Sequence, residues 1–171
     1  MQKEDYSFKF EVYESIDELT RHDALLLHKA RKATQHAYAP YSHFRVGAIA
    51  RLNNGEIVAG SNQENASFPL GLCAERVLLA SAASLFPAVP INAIAISYDN
   101  ENGESNHPIS PCGICRQSLL EYEGKLKQPI RIILGGLHGK VYVIERAAML
   151  LPLSFSAEEL NAKGIAGFGT N

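Results

Sequence analysis

Two short motifs, Cys73-Ala-Glu75 and Pro111-Cys112-Gly-Ile-Cys115, hold every cysteine of this 171-residue chain. Thiolates are strong zinc ligands, and three protein ligands leave a fourth coordination position open for water. Glu75 stands two residues after the first cysteine, close enough to serve such a water as a proton acceptor but too close to Cys73 to be a routine fourth ligand. The fold therefore has to bring two distant segments to one point, and both are expected to open helices. Helix N-termini carry partial positive charge and unpaired N–H groups, which favour thiolates. Cys112 and Cys115 are three residues apart, so one helical turn presents both on the same face. Pro111 suits the first turn, where its missing N–H would have had no partner.

Three thiolates leave a divalent zinc with net negative charge, which weakens it as a Lewis acid. Arg76 and Arg116 each follow a motif directly, and at least one is expected to hydrogen-bond the sulfurs and offset that charge. An odd number of cysteines beside a charged start, Met-Gln-Lys-Glu-Asp, argues against an export signal and a disulfide framework. A reducing, cytoplasmic setting follows as the expectation. The net charge of −2 with scattered basic residues gives no nucleic-acid-binding footprint. Residues 77–98 carry no charge, yet Pro87, Pro90 and Asn92 interrupt them. A buried helix followed by a buried strand accounts for that stretch better than a membrane span.

A hydrophobic content of 46% over this length fits one domain with a substantial core. Tyr6 to Val12 alternates apolar and polar residues, as a half-buried strand does. Ser15 to Ala37 has helical spacing, with Ser15 as the cap and Pro40 as the stop. Strands are expected over Phe44–Leu52 and Glu56–Ser61, joined through Asn53-Asn54-Gly55, and over Ile91–Tyr98, Ile130–Gly135 and Lys140–Ile144. Helices are expected at Cys73–Leu85 and Cys112–Glu123, with short ones at Ala147–Leu151 and Ser156–Asn161. The alternation implies an α/β fold: a three-layer α/β/α sandwich around a mixed five-stranded sheet. Residues 1–20 form an N-terminal extension with an extra strand, and residues 21–171 a single catalytic domain.

Other chemistry fits parts of this pattern. Cys112-Gly-Ile-Cys115 alone suits a thiol oxidoreductase, although Cys73-Ala-Glu75 has no role there. A structural zinc site needs a fourth protein ligand, for which His107 is the nearest candidate. The complete set of three cysteines, one glutamate and the preceding proline matches the pattern used by zinc deaminases.

Further motifs carry a specific resemblance. Ala39-Pro-Tyr-Ser-His-Phe-Arg-Val-Gly-Ala48, Asn62-Gln-Glu-Asn-Ala66, Cys73-Ala-Glu-Arg76, Ser110-Pro-Cys-Gly-Ile-Cys-Arg-Gln117 and Leu150-Leu-Pro-Leu-Ser-Phe155 follow one another in order. In these the chain resembles the small homotetrameric cytidine deaminases, from about Arg21 to about Leu160. The resemblance implies one Zn²⁺ per chain on Cys73, Cys112 and Cys115, with Glu75 as the catalytic proton shuttle. It implies hydrolysis of cytidine and deoxycytidine to uridine and deoxyuridine with loss of ammonia, in pyrimidine salvage. Asn62 and Glu64 match the pair that binds the ribose 3′-hydroxyl, and on a strand their spacing puts both on one face. Phe44 matches an aromatic beside the pyrimidine, Phe155 one supplied by a neighbouring subunit, and the backbone at Ala74 and Ser110 groups at the base edge. The implied partners are a small pyrimidine nucleoside and copies of the chain itself, with no nucleic acid and no membrane. A deaminase of a related aminated nucleoside or base is the alternative within this chemistry. Three departures bear on substrate range: the Met1–Thr20 extension, a longer Asn100–His107 loop expected to reshape the pocket mouth, and Phe68 where many members have tyrosine.

Overall fold

A computed structural model describes residues 1–160. Its strands are β1 (Glu11–Tyr13), β2 (Phe44–Leu52), β3 (Ile57–Ser61), β4 (Ile91–Asn100), β5 (Arg131–Gly135) and β6 (Val141–Ile144). They form one sheet in the order β1-β6-β5-β4-β2-β3. β4 and β5 run parallel, and the other neighbours are antiparallel. The helices are α1 (Arg21–Ala33), α2 (Ala74–Leu85), α3 (Gly113–Leu126) and the short α4 (Ala157–Leu160).

The two-residue period of the strands assigns the layers. Ile49, Ala93, Ala95, Ile133, Val141 and Val143 pack with Leu26, Leu27 and Ala30 of α1 on one face. Their neighbours Ala48, Ala50, Ile94, Ile96, Ile132 and Leu134 pack with Leu78 of α2 and Leu119 of α3 on the other. Strands buried on both faces are apolar throughout, which is why β4 has no alternation. The uncharged residues 77–98 are accordingly the end of α2 and the start of β4, and among the described residues no helix is long and apolar enough to cross a membrane.

Two glycines permit the close helix–sheet contacts. A Cβ at Gly47 would lie 2.3 Å from the Ala30 carbonyl oxygen, and one at Gly60 would lie 2.4 Å from that of Ala74. Gly60 thus lets the first turn of α2 settle directly on β3. At the hairpin between those strands, Gly55 adopts φ +89°, and the Glu56 N–H donates to Asn54 Oδ1 at 3.1 Å.

The three-layer arrangement stands as expected, but the sheet has six strands rather than five. The sixth, β1, pairs with β6 from within residues 1–20. It is also shorter and later than expected, because Tyr6, Phe8 and Phe10 lie exposed outside any strand. Arg131 fastens it, meeting Glu11 at 3.3 Å and the buried Asp23 of α1 at 3.3 Å. The expected helix from Ser15 breaks in two. Ser15 caps only a 3₁₀ turn at Ile16–Glu18. Thr20 then caps α1 proper, accepting from the Asp23 N–H at 3.2 Å. Ala147–Leu150 is a 3₁₀ turn, and Asn161, expected to close the last helix, lies outside the described residues.

Candidate active site

Cys73 and Cys112 are the N-cap residues of α2 and α3, and neither side chain is spent on a capping hydrogen bond. Both sulfurs are therefore free to face each other while the helix N-termini favour their anionic forms. Pro111 consequently precedes the cap instead of sitting in the first turn, because Gly113 begins the helix. Cys115, one turn in, is buried. Cys73 and Cys112 sulfurs are 3.8 Å apart, those of Cys112 and Cys115 3.5 Å apart, and all three lie within 4.8 Å of one another. Three sulfurs at about 2.3 Å from a tetrahedral zinc sit about 3.8 Å from each other. The two shorter separations are close to what that ion requires. His107 does not join it: its Nδ1 lies 3.2 Å from the Tyr98 hydroxyl, and among the described residues the cluster is the three cysteines. A closed four-ligand structural site loses its nearest candidate ligand.

Glu75, in the first turn of α2, is only 5% exposed. Burial raises its carboxyl pKa, against hydrogen bonds from its own N–H and from Cys115. A carboxyl so placed holds a proton more readily than one in water, which suits a shuttle. The Cys73 thiol is depressed to about 6: the Cys115 thiol donates to it, burial and the Glu75 charge oppose, and Cys112 and the Arg76 charge add to the depression. Cys115, the donor to Cys73 and itself desolvated, moves strongly upward.

Only one of the two arginines stays available to the sulfurs. Arg116 donates from Nε to the Pro111 carbonyl at 2.8 Å and from Nη1 to the Leu150 carbonyl at 2.9 Å. It braces the loop before α3 against the tail instead of bonding thiolates. Arg76 supplies the positive charge beside Cys73.

A cleft of about 310 Å³ opens over these groups, and Cys73, Ala74, Glu75, Ser110 and Cys112 line it together with Asn62 and Glu64. β3 ends at Ser61 as expected, so Asn62 and Glu64 lie just beyond it and not within a strand. The chain stays extended because Gln63 bridges Leu72 on one side and Tyr38 on the other. Asn62 continues the ladder with its side chain: Oδ1 accepts from the Val46 N–H at 2.7 Å and Nδ2 donates to the Phe44 carbonyl at 2.9 Å. Glu64 Oε2 accepts from the N–H groups of Tyr41 and Ser42 at 2.9 and 3.3 Å. Burial works against its charge, but these bonds and one from the Ser42 hydroxyl outweigh it, so its pKa is lowered.

The cleft does not gather every expected residue. Phe44 stacks on buried Tyr98 with ring centroids 5.0 Å apart and is absent from the lining. Phe155 is 58% exposed and lies away from its own chain's cleft, its carbonyl accepting from Gln117 Nε2 at 2.9 Å. Phe68 is exposed at the edge of the Tyr41 ring. The Asn100–His107 loop does not line the mouth; it packs on the β5–β6 turn, where the His138 N–H donates to the Ser105 carbonyl at 3.2 Å. Conversely, Val46, Leu72 and Ile109 line the cleft although no motif reasoning selected them. Leu72 and Ile109 stand immediately before Cys73 and Ser110, and apolar residues abutting a polar motif were the available signal.

Known proteins share this arrangement. The family described as cytidine and deoxycytidylate deaminase zinc-binding region matches residues 20–127. A cytidine deaminase of Halalkalibacterium halodurans is 37% identical over 137 residues, covering 80% of this chain and 96% of its own length. Cytidine deaminase 3 of Arabidopsis thaliana is 30% identical over 166 residues, covering 96% of this chain and 72% of the relative. A crystal structure of cytidine deaminase from Burkholderia pseudomallei matches with a TM-score of 0.68 at 39% identity, covering 80% of this chain and 100% of that one.

Proposed function

Because the chain belongs to the zinc-binding cytidine and deoxycytidylate deaminase family, we propose that it hydrolyses cytidine and deoxycytidine to uridine and deoxyuridine, releasing ammonia. The observation that carries this reading is the buried Glu75 beside three convergent thiols in a cleft that also holds Asn62 and Glu64. Cys73, Cys112 and Cys115 would hold a zinc ion, which when bound would lower the pKa of a water to about 7.

The chain's own residues do the rest. Glu75 takes one proton from the attacking water and passes it to ring nitrogen N3, then takes the second proton from the new C4 hydroxyl and gives it to the exocyclic amine as the C4–N bond breaks and the C4 carbonyl forms. Arg76 offsets the charge of the thiolates, and Arg116 holds the segment that carries Ser110 and Cys112. Backbone groups at Ala74 and Ser110 hydrogen-bond the edge of the base. Asn62 has one amide N–H left after bonding β2, and Glu64 one carboxylate oxygen, for the sugar 3′-hydroxyl. Phe44 is the aromatic proposed to lie beside the pyrimidine ring, which requires it to move from its stack on Tyr98, and Phe155 is proposed to reach the cleft of a neighbouring subunit in a homotetramer. Residues 21–171 act as one catalytic domain, and residues 1–20 as an accessory segment on its sheet edge. Thiol ligands need a reducing compartment, which favours the cytoplasm.

A substrate panel tests the assignment. Cytidine and deoxycytidine are expected to yield one ammonia each per uridine or deoxyuridine formed, with deoxycytidine monophosphate turned over far more slowly. Preference for the monophosphate, or zinc-free protein that cycles a dithiol at Cys112 and Cys115, would overturn it.

A further inference from the structure

Glu64 owes its orientation to a turn that is itself held from elsewhere. The N–H groups of Tyr41 and Ser42 grip its Oε2, and that turn closes where the His43 N–H donates to the Ala39 carbonyl at 3.1 Å. His43 then leaves the turn at φ 54°, the left-handed region that disfavours a residue with a Cβ. Such a conformation persists where its surroundings fix it.

Glu101 supplies that constraint three times over. Its N–H donates to the His43 carbonyl at 3.0 Å. Its Oε2 accepts from His43 Nδ1 at 3.1 Å, and its Oε1 pairs with Arg45 at 2.5 Å. Beside it, Asn102 Nδ2 donates to the Ser42 carbonyl at 3.4 Å. The loop bearing Glu101 is anchored at its far end, where His138 meets Ser105 and Tyr98 meets His107. Gly136 and Gly139 are required there, since a Cβ on either would fall within 2.2 Å of the Ser105 or Asn106 carbonyl oxygen. The loop is a strut between the β5–β6 turn and the turn that grips Glu64.

We propose that Glu101 is a positioning residue for sugar recognition: it locks His43 left-handed and so aims the Tyr41 and Ser42 N–H groups at Glu64. The inference rests on the reading of Glu64 as a 3′-hydroxyl acceptor. Losing Glu101 lets the turn relax, and Glu64 then meets the sugar in several orientations instead of one.

The test compares cytidine with 3′-deoxycytidine in the zinc-loaded wild type, Glu101→Ala, Glu64→Gln and the double variant. Because Glu101 is partly exposed, Glu101→Ala is expected to lower kcat/KM for cytidine about 3–5-fold, mainly through KM. The loss should be much smaller for the 3′-deoxy substrate, and the double variant should lose no more than Glu64→Gln alone. Glu101→Gln, which keeps one acceptor oxygen, should recover part of the loss. Equal losses on both substrates, or additive losses in the double variant, would overturn the positioning role. If Glu64→Gln itself fails to discriminate between the two sugars, the reading of Glu64 falls. The non-additivity of the pair still reports whether Glu101 acts through it.

Discussion

At the scale of single residues, electrostatics and ligand chemistry govern what the site can hold. Cys73 is depressed to about 6, so its thiolate persists at neutral pH and is lost as pH falls through that value. A bound metal extends the thiolate form to lower pH. Protein dialysed across a falling pH series should therefore keep its zinc at neutral pH and release it only in acid, as protons compete for the thiolates, read by metal analysis. Loss of the zinc already at neutral pH would contradict that. Glu123 poses a different case. It is 5% exposed and accepts from the N–H groups of Ile130, Ala147 and Ala148 at 2.6, 2.9 and 3.1 Å. Glu123→Ala strands the Ile130 and Ala148 donors, while Ala147 keeps the Ile130 carbonyl at 2.9 Å, and a loss of a few kcal/mol in a denaturation midpoint experiment is expected. The contrast marks what a sequence discloses. The three cysteines and Glu75 were legible because ligand chemistry depends on residue type and short spacing. Glu123 was not, because its partners come together only after α3, β5 and the 3₁₀ turn have docked. The Asn62 amide likewise serves β2 through contacts that no local pattern encodes.

At the scale of elements, the site depends on where α2 and α3 begin. Gly60 lets the first turn of α2 lie against β3, and a Cβ there would strike the Ala74 backbone. Gly60→Ala should shift that turn, costing about 1–3 kcal/mol of stability and loosening zinc measurably in a chelator competition; unchanged zinc affinity would show that the contact is dispensable. Long periodic elements and the Asn-Gly hairpin were readable, since α2, α3, β2 and β4 carry their own signals. The N-terminal region misled for physical reasons. Alternation over Tyr6 to Val12 marks a strand only where a partner exists, and β6 offers pairing for three residues. Ser15 and Thr20 are both good caps, and Leu19, which adopts an extended conformation between them, decides which one starts the helix. The Asn100–His107 loop was visible as an extra length, but its docking onto the β5–β6 turn was not.

At the scale of the molecule, the proposed homotetramer would complete the cleft of one chain with a residue of another. Phe155 is exposed and does not line its own chain's cleft, so a role for it in substrate binding requires a second copy. Phe155→Ala and Glu75→Gln chains, each of low activity alone, should regain turnover when mixed and allowed to exchange, because hybrid assemblies contain sites with both residues intact. No recovery despite exchange confirmed by light scattering and labelled subunits would confine the site to one chain. Everything proposed for this site turns on Glu75 moving the protons of a zinc-dependent deamination. The most direct measurement follows the ultraviolet band of cytidine, with ammonia release, in zinc-analysed wild type and Glu75→Gln side by side. One zinc per chain is expected in both, with turnover in the wild type and a rate lower by roughly 10²–10⁴ in the variant. Comparable rates at equal zinc content would contradict it.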